Sequence, residues 1–175
     1  MGDAIRPVAD SRAAFERHDR VGLLVRRAGV AILAGVVIAA LFNVFGQRAN
    51  TAVANGAAAS VEVHAPTVVR PGLLYQAKIS ITARSAIPAA QLVFSHGWFD
   101  GMTLNTAEPG PATETSARNG SVIFSIGPLT AGQTFVQYLE FQVNPTSSSR
   151  RGQVVTVRSH GVGLVSLSRT MTVFP

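Results

Sequence analysis

LYQAKISIT, residues 74–82, alternates without a break: Tyr75, Ala77, Ile79 and Ile81 fall on one side of an extended chain, and Gln76, Lys78, Ser80 and Thr82 on the other. Successive side chains of a strand point to opposite faces, so this period of two predicts a strand with one face in a core and one in water. The same period recurs on both sides of it. Residues 91–95 place Leu92 and Phe94 together, residues 121–126 place Val122, Phe124 and Ile126 together, and residues 133–143 align Phe135, Leu139, Phe141 and Val143, with Gln137 as the exception. Val61 with Val63, residues 102–105, Val155 with Val157, and residues 165–173, with a break expected near Arg169, supply further short strands. Turn residues separate them: Arg70-Pro71-Gly72, Glu108-Pro109-Gly110-Pro111 at the head of a polar loop reaching Ala117, Asn119-Gly120, Gly127-Pro128, Ala131-Gly132, and the polar run NPTSSSRRG at 144–152. Asn-Gly is a strong turn signal because both residues tolerate positive φ. Seven or eight short strands between turns, with no helical period among them, predict an all-β domain over residues 61–175. The expected form is an antiparallel immunoglobulin-like β-sandwich, with a barrel as the alternative.

Upstream the pattern changes. AGVAILAGVVIAALFNVFG, residues 28–46, has one polar residue, Asn43, and no charge. At ~1.5 Å per residue this stretch reaches about 28 Å, close to the roughly 30 Å of a hydrocarbon core. We therefore expect a single transmembrane helix over residues 21–46, with Arg26 and Arg27 reaching toward headgroups. Arg12, Arg17, Arg20, Arg26 and Arg27 lie close upstream, and Arg48 alone comparably close downstream. The positive-inside rule then places the N-terminus in the cytoplasm and the β domain on the extracytoplasmic side of the cell membrane. Within the span, Ala31, Gly35 and Ala39 share one helical face, where small side chains admit a second helix; they are the candidate helix–helix contact.

Residues 1–20 hold four arginines, four acids and few large apolar side chains, the composition of a solvated, partly disordered cytoplasmic tail. Asp10 or Ser11 could cap a short helix there. Position 6 is Arg6 rather than Ser or Thr, so the myristoylation pattern fails. Residues 47–60, QRANTAVANGAAAS, read as a flexible linker of roughly 20 Å span. A cleaved secretory signal is the competing reading, with Ala52-Val53-Ala54 as an A-x-A site and Ala57-Ala58-Ala59 as another. The long charged lead and the long apolar run favour an uncleaved anchor. Both readings export the β domain.

The chain has no cysteine, which excludes disulfides and thiolate metal sites. Its net charge is +6, with one lysine among fifteen basic residues. The arginine and alanine bias is that of a GC-rich bacterial genome. Beyond the apolar run the basic residues are thinly spread, without aromatic interleaving or a nucleic-acid motif, so no nucleic-acid partner is expected.

Two stretches together resemble a bacterial and archaeal surface-protein repeat domain of uncharacterised function. Residues 119–133, NGSVIFSIGPLTAGQ, are similar to its N-G-x-V-x-aromatic strand followed by G-x-L-x-A-G-Q. Residues 99–109, FDGMTLNTAEP, are similar to its P-x-G-hydrophobic-T segment, with Phe99 in place of the proline. Where that family carries a late N-x-A-x-V signature, Val157-Arg158-Ser159-His160 stands here. The resemblance covers roughly residues 61–157 and implies an immunoglobulin-like sandwich of cell-envelope proteins without enzymatic residues of its own.

No chemistry-bearing constellation emerges from the sequence. His18, His64, His96 and His160 lack a partner at metal-ligand spacing, and Glu62, Asp100, Glu108, Glu114 and Glu140 form no calcium loop. No metal, cofactor or small-molecule substrate is expected. Ser95-His96-Gly97-Trp98-Phe99-Asp100 contains the residue types of a triad, but neighbours on an extended strand point apart and no G-x-S-x-G elbow is present. The same stretch holds the only tryptophan. If it is extended, one of Trp98 and Phe99 enters the core and the other is free to act as an aromatic anchor; these two are the candidate partner contact, with core packing as the alternative. The expectation is a non-enzymatic, single-pass, membrane-anchored interaction module, an accessory or scaffold subunit of a bacterial cell-envelope complex. Its partners would be the lipid bilayer and another membrane or envelope protein. The alternatives are a glycan- or wall-binding module, for which Tyr75, Trp98, Phe99 and Tyr138 are few rings, and a secreted domain released near Ala54.

Overall fold

The computed structural model describes residues 9–42 and 47–174, with helix side chains from Gly22 onward. Residues 1–8 of the expected tail and residues 43–46 of the expected span lie outside them. The chain divides into two units, residues 1–46 and 47–175.

The first unit is one helix, α1 (Ala9–Leu41). It starts well before the expected span: residues 9–20, read from composition as a partly disordered tail, are helical. ADSRAAFERHDR contains neither Gly nor Pro and is rich in Ala and Arg, which favour helix. Within α1, Gly22–Leu41 has a mean hydropathy of 2.0, is long and apolar enough to cross a membrane, and has none of its length buried.

The second unit is a β-sandwich. Among the described residues its strands are β1 (Ala49–Asn55), β2 (Ala59–Pro66), β3 (Val68–Val69), β4 (Leu74–Ala83), β5 (Ile87–Phe94), β6 (Met102–Glu108), β7 (Thr113–Ser116), β8 (Val122–Leu129), β9 (Thr134–Val143), β10 (Ser149–Ser159) and β11 (Val162–Val173). One sheet runs β1-β2-β4-β9-β6 and the other β3-β11-β10-β5-β8-β7. All pairings are antiparallel except β3 with β11. The alternating residues of the sequence fill the space between the sheets: Tyr75, Ala77, Ile79 and Ile81 from β4, Leu139, Phe141 and Val143 from β9, Leu92 and Phe94 from β5, Val122 and Phe124 from β8, and Val155 and Val157 from β10 are buried.

The strand count exceeds the seven or eight expected, and the additions have a common cause. β1, β3 and β7 are edge strands, solvated on one side, and carry no core-forming alternation. β1 corrects the linker reading of residues 47–60. Ala49–Asn55 pairs residue for residue with β2, from Ala49 opposite Pro66 to Asn55 opposite Ser60. Ala52 and Ala54 pack on the core, but they are too small to mark a strand by hydrophobicity. β7 lies in what reads as a polar loop and is exposed throughout. β10 begins inside the polar run 144–152, and β11 is unbroken at Arg169, which points inward.

The motif NGSVIFSIGPLTAGQ has a direct conformational reading. Gly120 (φ 75°) turns β7 into β8, with the Ser121 N–H donating to the Asn119 side chain at 3.1 Å. Leu129 is buried, Gly132 (φ 82°) makes the next turn, and the Gln133 side-chain oxygen accepts from the Thr130 N–H at 2.9 Å.

Candidate functional site

Residues 96–101 are not extended. His96–Trp98 forms a single 3₁₀ turn between β5 and β6. Gly97 permits it: a Cβ there would lie 2.0 Å from the Gly152 carbonyl oxygen, so β10 can pass only over a glycine. The Ser95 N–H donates to the Val154 carbonyl at 2.9 Å, and the Ser95 hydroxyl accepts from the Val154 N–H at 2.9 Å. The Trp98 indole N–H donates to the same carbonyl at 3.1 Å.

The turn sends both aromatic candidates inward. Trp98 is fully buried, edge-on to Phe94 with centroids 5.7 Å apart and tilted against Phe141 at 6.1 Å. Phe99 is half-buried and packs on Phe94 and Phe141 at 6.2 and 5.8 Å. The expectation that one of the pair would stand exposed as a partner anchor is corrected: a turn, unlike a strand, can direct adjacent side chains to the same core. Ser95, His96 and Asp100 are likewise separated by their surroundings. Ser95 bonds to β10, His96 lies under Gly120, and Asp100 sits 3.7 Å from the Arg151 Nε. Among the described residues no group of three or more His, Asp or Glu is placed to hold a metal.

A polar cluster, which sequence reasoning did not assemble, interrupts the core beside Trp98. Arg169 of β11 lies over the indole with its guanidinium carbon 5.9 Å from the ring centroid. Its Nη2 donates to the Ala65 carbonyl at 3.0 Å and to the Pro66 carbonyl. Tyr75 stacks on Phe141 at 5.3 Å, and its hydroxyl is turned toward Gln153. Gln153 is fully buried and donates to the Met171 sulfur at 3.7 Å. Burial pushes the Tyr75 phenol well above its ordinary range, with Gln153, Arg169 and Arg151 offsetting part of the rise. Burial also lowers the Arg169 guanidinium, and Tyr75 opposes that shift. Arg151 is held beside this region by Ser149 (2.8 Å) and Ser147 (2.6 Å). The sequence signal was present: Arg169, Gln153 and Arg151 occupy inward positions of otherwise alternating strands, whereas Gln137, the inward exception of β9, donates to the Pro109 carbonyl at 2.8 Å.

Ala31, Gly35 and Ala39 lie along α1 at the expected spacing, and a Cβ on Gly35 would meet nothing within 4 Å.

The second unit is thus defined as a two-sheet β-sandwich, carried behind a helix apolar enough to cross a membrane. No family model and no curated protein matches the chain. Solved structures of similar fold include a CARDB domain from Pyrococcus furiosus, 13% identical, covering 71% of this chain and 89% of that one at a TM-score of 0.43. CaCohA2 from Clostridium acetobutylicum is 12% identical over 61% of this chain and 85% of that one, also at 0.43. The reeler domain of human F-spondin is 11% identical over 65% and 88%, at 0.39.

Proposed function

We propose that this protein is a single-pass membrane protein, N-terminus in the cytoplasm, that presents one β-sandwich outside as a protein-interaction module. It serves as an accessory or scaffold subunit of a bacterial cell-envelope complex and works by binding, without catalysis. The observation that carries this reading is the Gly22–Leu41 helix, twenty residues with a mean hydropathy of 2.0 and no buried length. Apolar surface of that extent is unfavourable in water and matches a bilayer core in length. The position of β1 supports retention of the anchor. A cut after Ala54 would strip nearly all of β1 from its pairing with β2 and uncover Val61 and Val63. The test has three parts. The protein should stay in the membrane fraction through alkaline carbonate washing. A cysteine at Ala131, an exposed turn position in a chain with no other cysteine, should react with a membrane-impermeant maleimide on intact cells. Detergent-solubilised protein should bring down a stoichiometric companion; recovery of the chain alone would count against a subunit role.

A further inference from the structure

The two ends of the sandwich differ in surface. Strand register gathers the start of β1, the end of β2, the start of β4, the start of β10 and the end of β11 at one end: Ala49 lies opposite Pro66, Leu74 opposite Gln142, Ser149 opposite Val173, and Thr172 beside Val68. The chain therefore enters the sandwich at this end. The same end exposes Val68 (45%), Leu73 (46%), Leu74 (53%) and Phe174 (58%). The other large apolar side chains exposed on the sandwich, Val53, Tyr138 and Val162, are scattered singly, which is ordinary for a protein surface. Arg48, Arg70 and Arg150, also exposed, lie at the same end. Asp100, the acid at this end, is drawn toward Arg151, and the next acid, Glu140, lies one cross-strand row up the sheet face, opposite Gln76.

We propose that this end is a membrane-contact surface. Val68, Leu73, Leu74 and Phe174 enter the headgroup–acyl boundary of the bilayer, and Arg48, Arg70 and Arg150 meet anionic headgroups. The inference rests on the anchored reading above. Covalent geometry favours lipid over any other occupant. Only residues 42–48 separate the end of α1 from the start of β1, and seven residues reach at most about 25 Å when fully extended. Several of those ångströms are used in crossing the headgroup layer. In the anchored reading the first residue of β1 can stray no further than that from the end of α1, and tethering makes even a weak apolar insertion effective. Exposed apolar side chains accompanied by arginines at one end are the residues an interface of that kind selects.

The full chain, reconstituted in vesicles of phosphatidylcholine and phosphatidylglycerol, tests this. Because the chain lacks cysteine, single cysteines at Val68, Leu73 and, as the far-end control, Ala131 can carry an environment-sensitive fluorophore. The expected result is a blue shift, quenching by a lipid-borne nitroxide, and a several-fold loss of iodide quenching at positions 68 and 73 but not at 131. Equal iodide quenching at all three positions, with the protein floating with the vesicles, overturns the membrane contact and leaves the anchor standing. Protection at 68 and 73 without nitroxide quenching, disappearing at one copy per vesicle, overturns it in favour of a second copy of the chain. Failure of the unlabelled chain to float with vesicles overturns the anchor and this inference together.

Discussion

Arg169 is the residue at which the interior departs furthest from an apolar core, and its contacts say what it is worth. Its guanidinium bonds two carbonyls at the end of β2 and covers the Trp98 ring. Hydrogen bonds to a charged group contribute roughly 1.5–3 kcal/mol, and removing the donor leaves half-buried acceptors unpaired. Arg169→Ala should therefore lower the urea-unfolding free energy by about 2–4 kcal/mol. Arg169→Lys should recover part of it, since an ammonium keeps the charge but not the planar fork. Trp98→Ala removes a fully buried ring and should cost about 3–5 kcal/mol, with a smaller loss for half-buried Phe99→Ala. Tyr75 makes the pH prediction. Its folded phenol titrates well above its unfolded value of about 10, so the native chain holds the proton after the unfolded chain has released it. The unfolded state then binds fewer protons, and stability falls with rising pH. The contribution is fully present below about pH 10 and is lost above it. Tyr75→Phe should be close to neutral at pH 7 and should flatten the alkaline fall. An alkaline slope identical in the two proteins would refute this assignment.

At the scale of elements, what could be read from sequence was decided by where each strand sits in its sheet. β4 and β9 have a partner on both sides and one face toward the core, so their buried residues recur at every second position. β1 and β7 lie at sheet edges and need no such pattern: β7 buries none of its side chains, and β1 turns only alanines inward. The aromatic pair was misplaced for a different reason. Assigning Trp98 and Phe99 to opposite faces assumed an extended backbone, whereas Gly97 and Gly101 mark a turn that brings both to Phe141. The buried polar groups were legible only as exceptions, Gln137 and Arg169 among them, because a period of two shows that a residue faces inward but not which residue it meets there. The reassignment of residues 49–55 from linker to strand has its own test. Hydrogen exchange should find a subset of β1 amides protected to a degree comparable with β2. A linker would exchange freely throughout, and uniform fast exchange across 49–55 would return these residues to that role.

For the whole molecule, the open matter is what α1 does beyond tethering. In the helix taken alone, a side chain added at Gly35 meets no atom within 4 Å, and the apolar stretch around it is exposed. Gly35→Ile therefore creates no clash within the chain. In a bilayer it also leaves hydrophobicity and span length essentially intact, so insertion should be unaffected. Any change it produces must come from another helix that approaches the Ala31–Gly35–Ala39 face closely enough to meet the added side chain, which is how small residues act in membrane helix packing. We expect Gly35→Ile to reduce cross-linked oligomers or companion recovery several-fold in native membranes, and Val36→Ile, off that face, to leave both unchanged. Equal behaviour of the two variants would remove this face as a contact and leave recruitment to the sandwich alone.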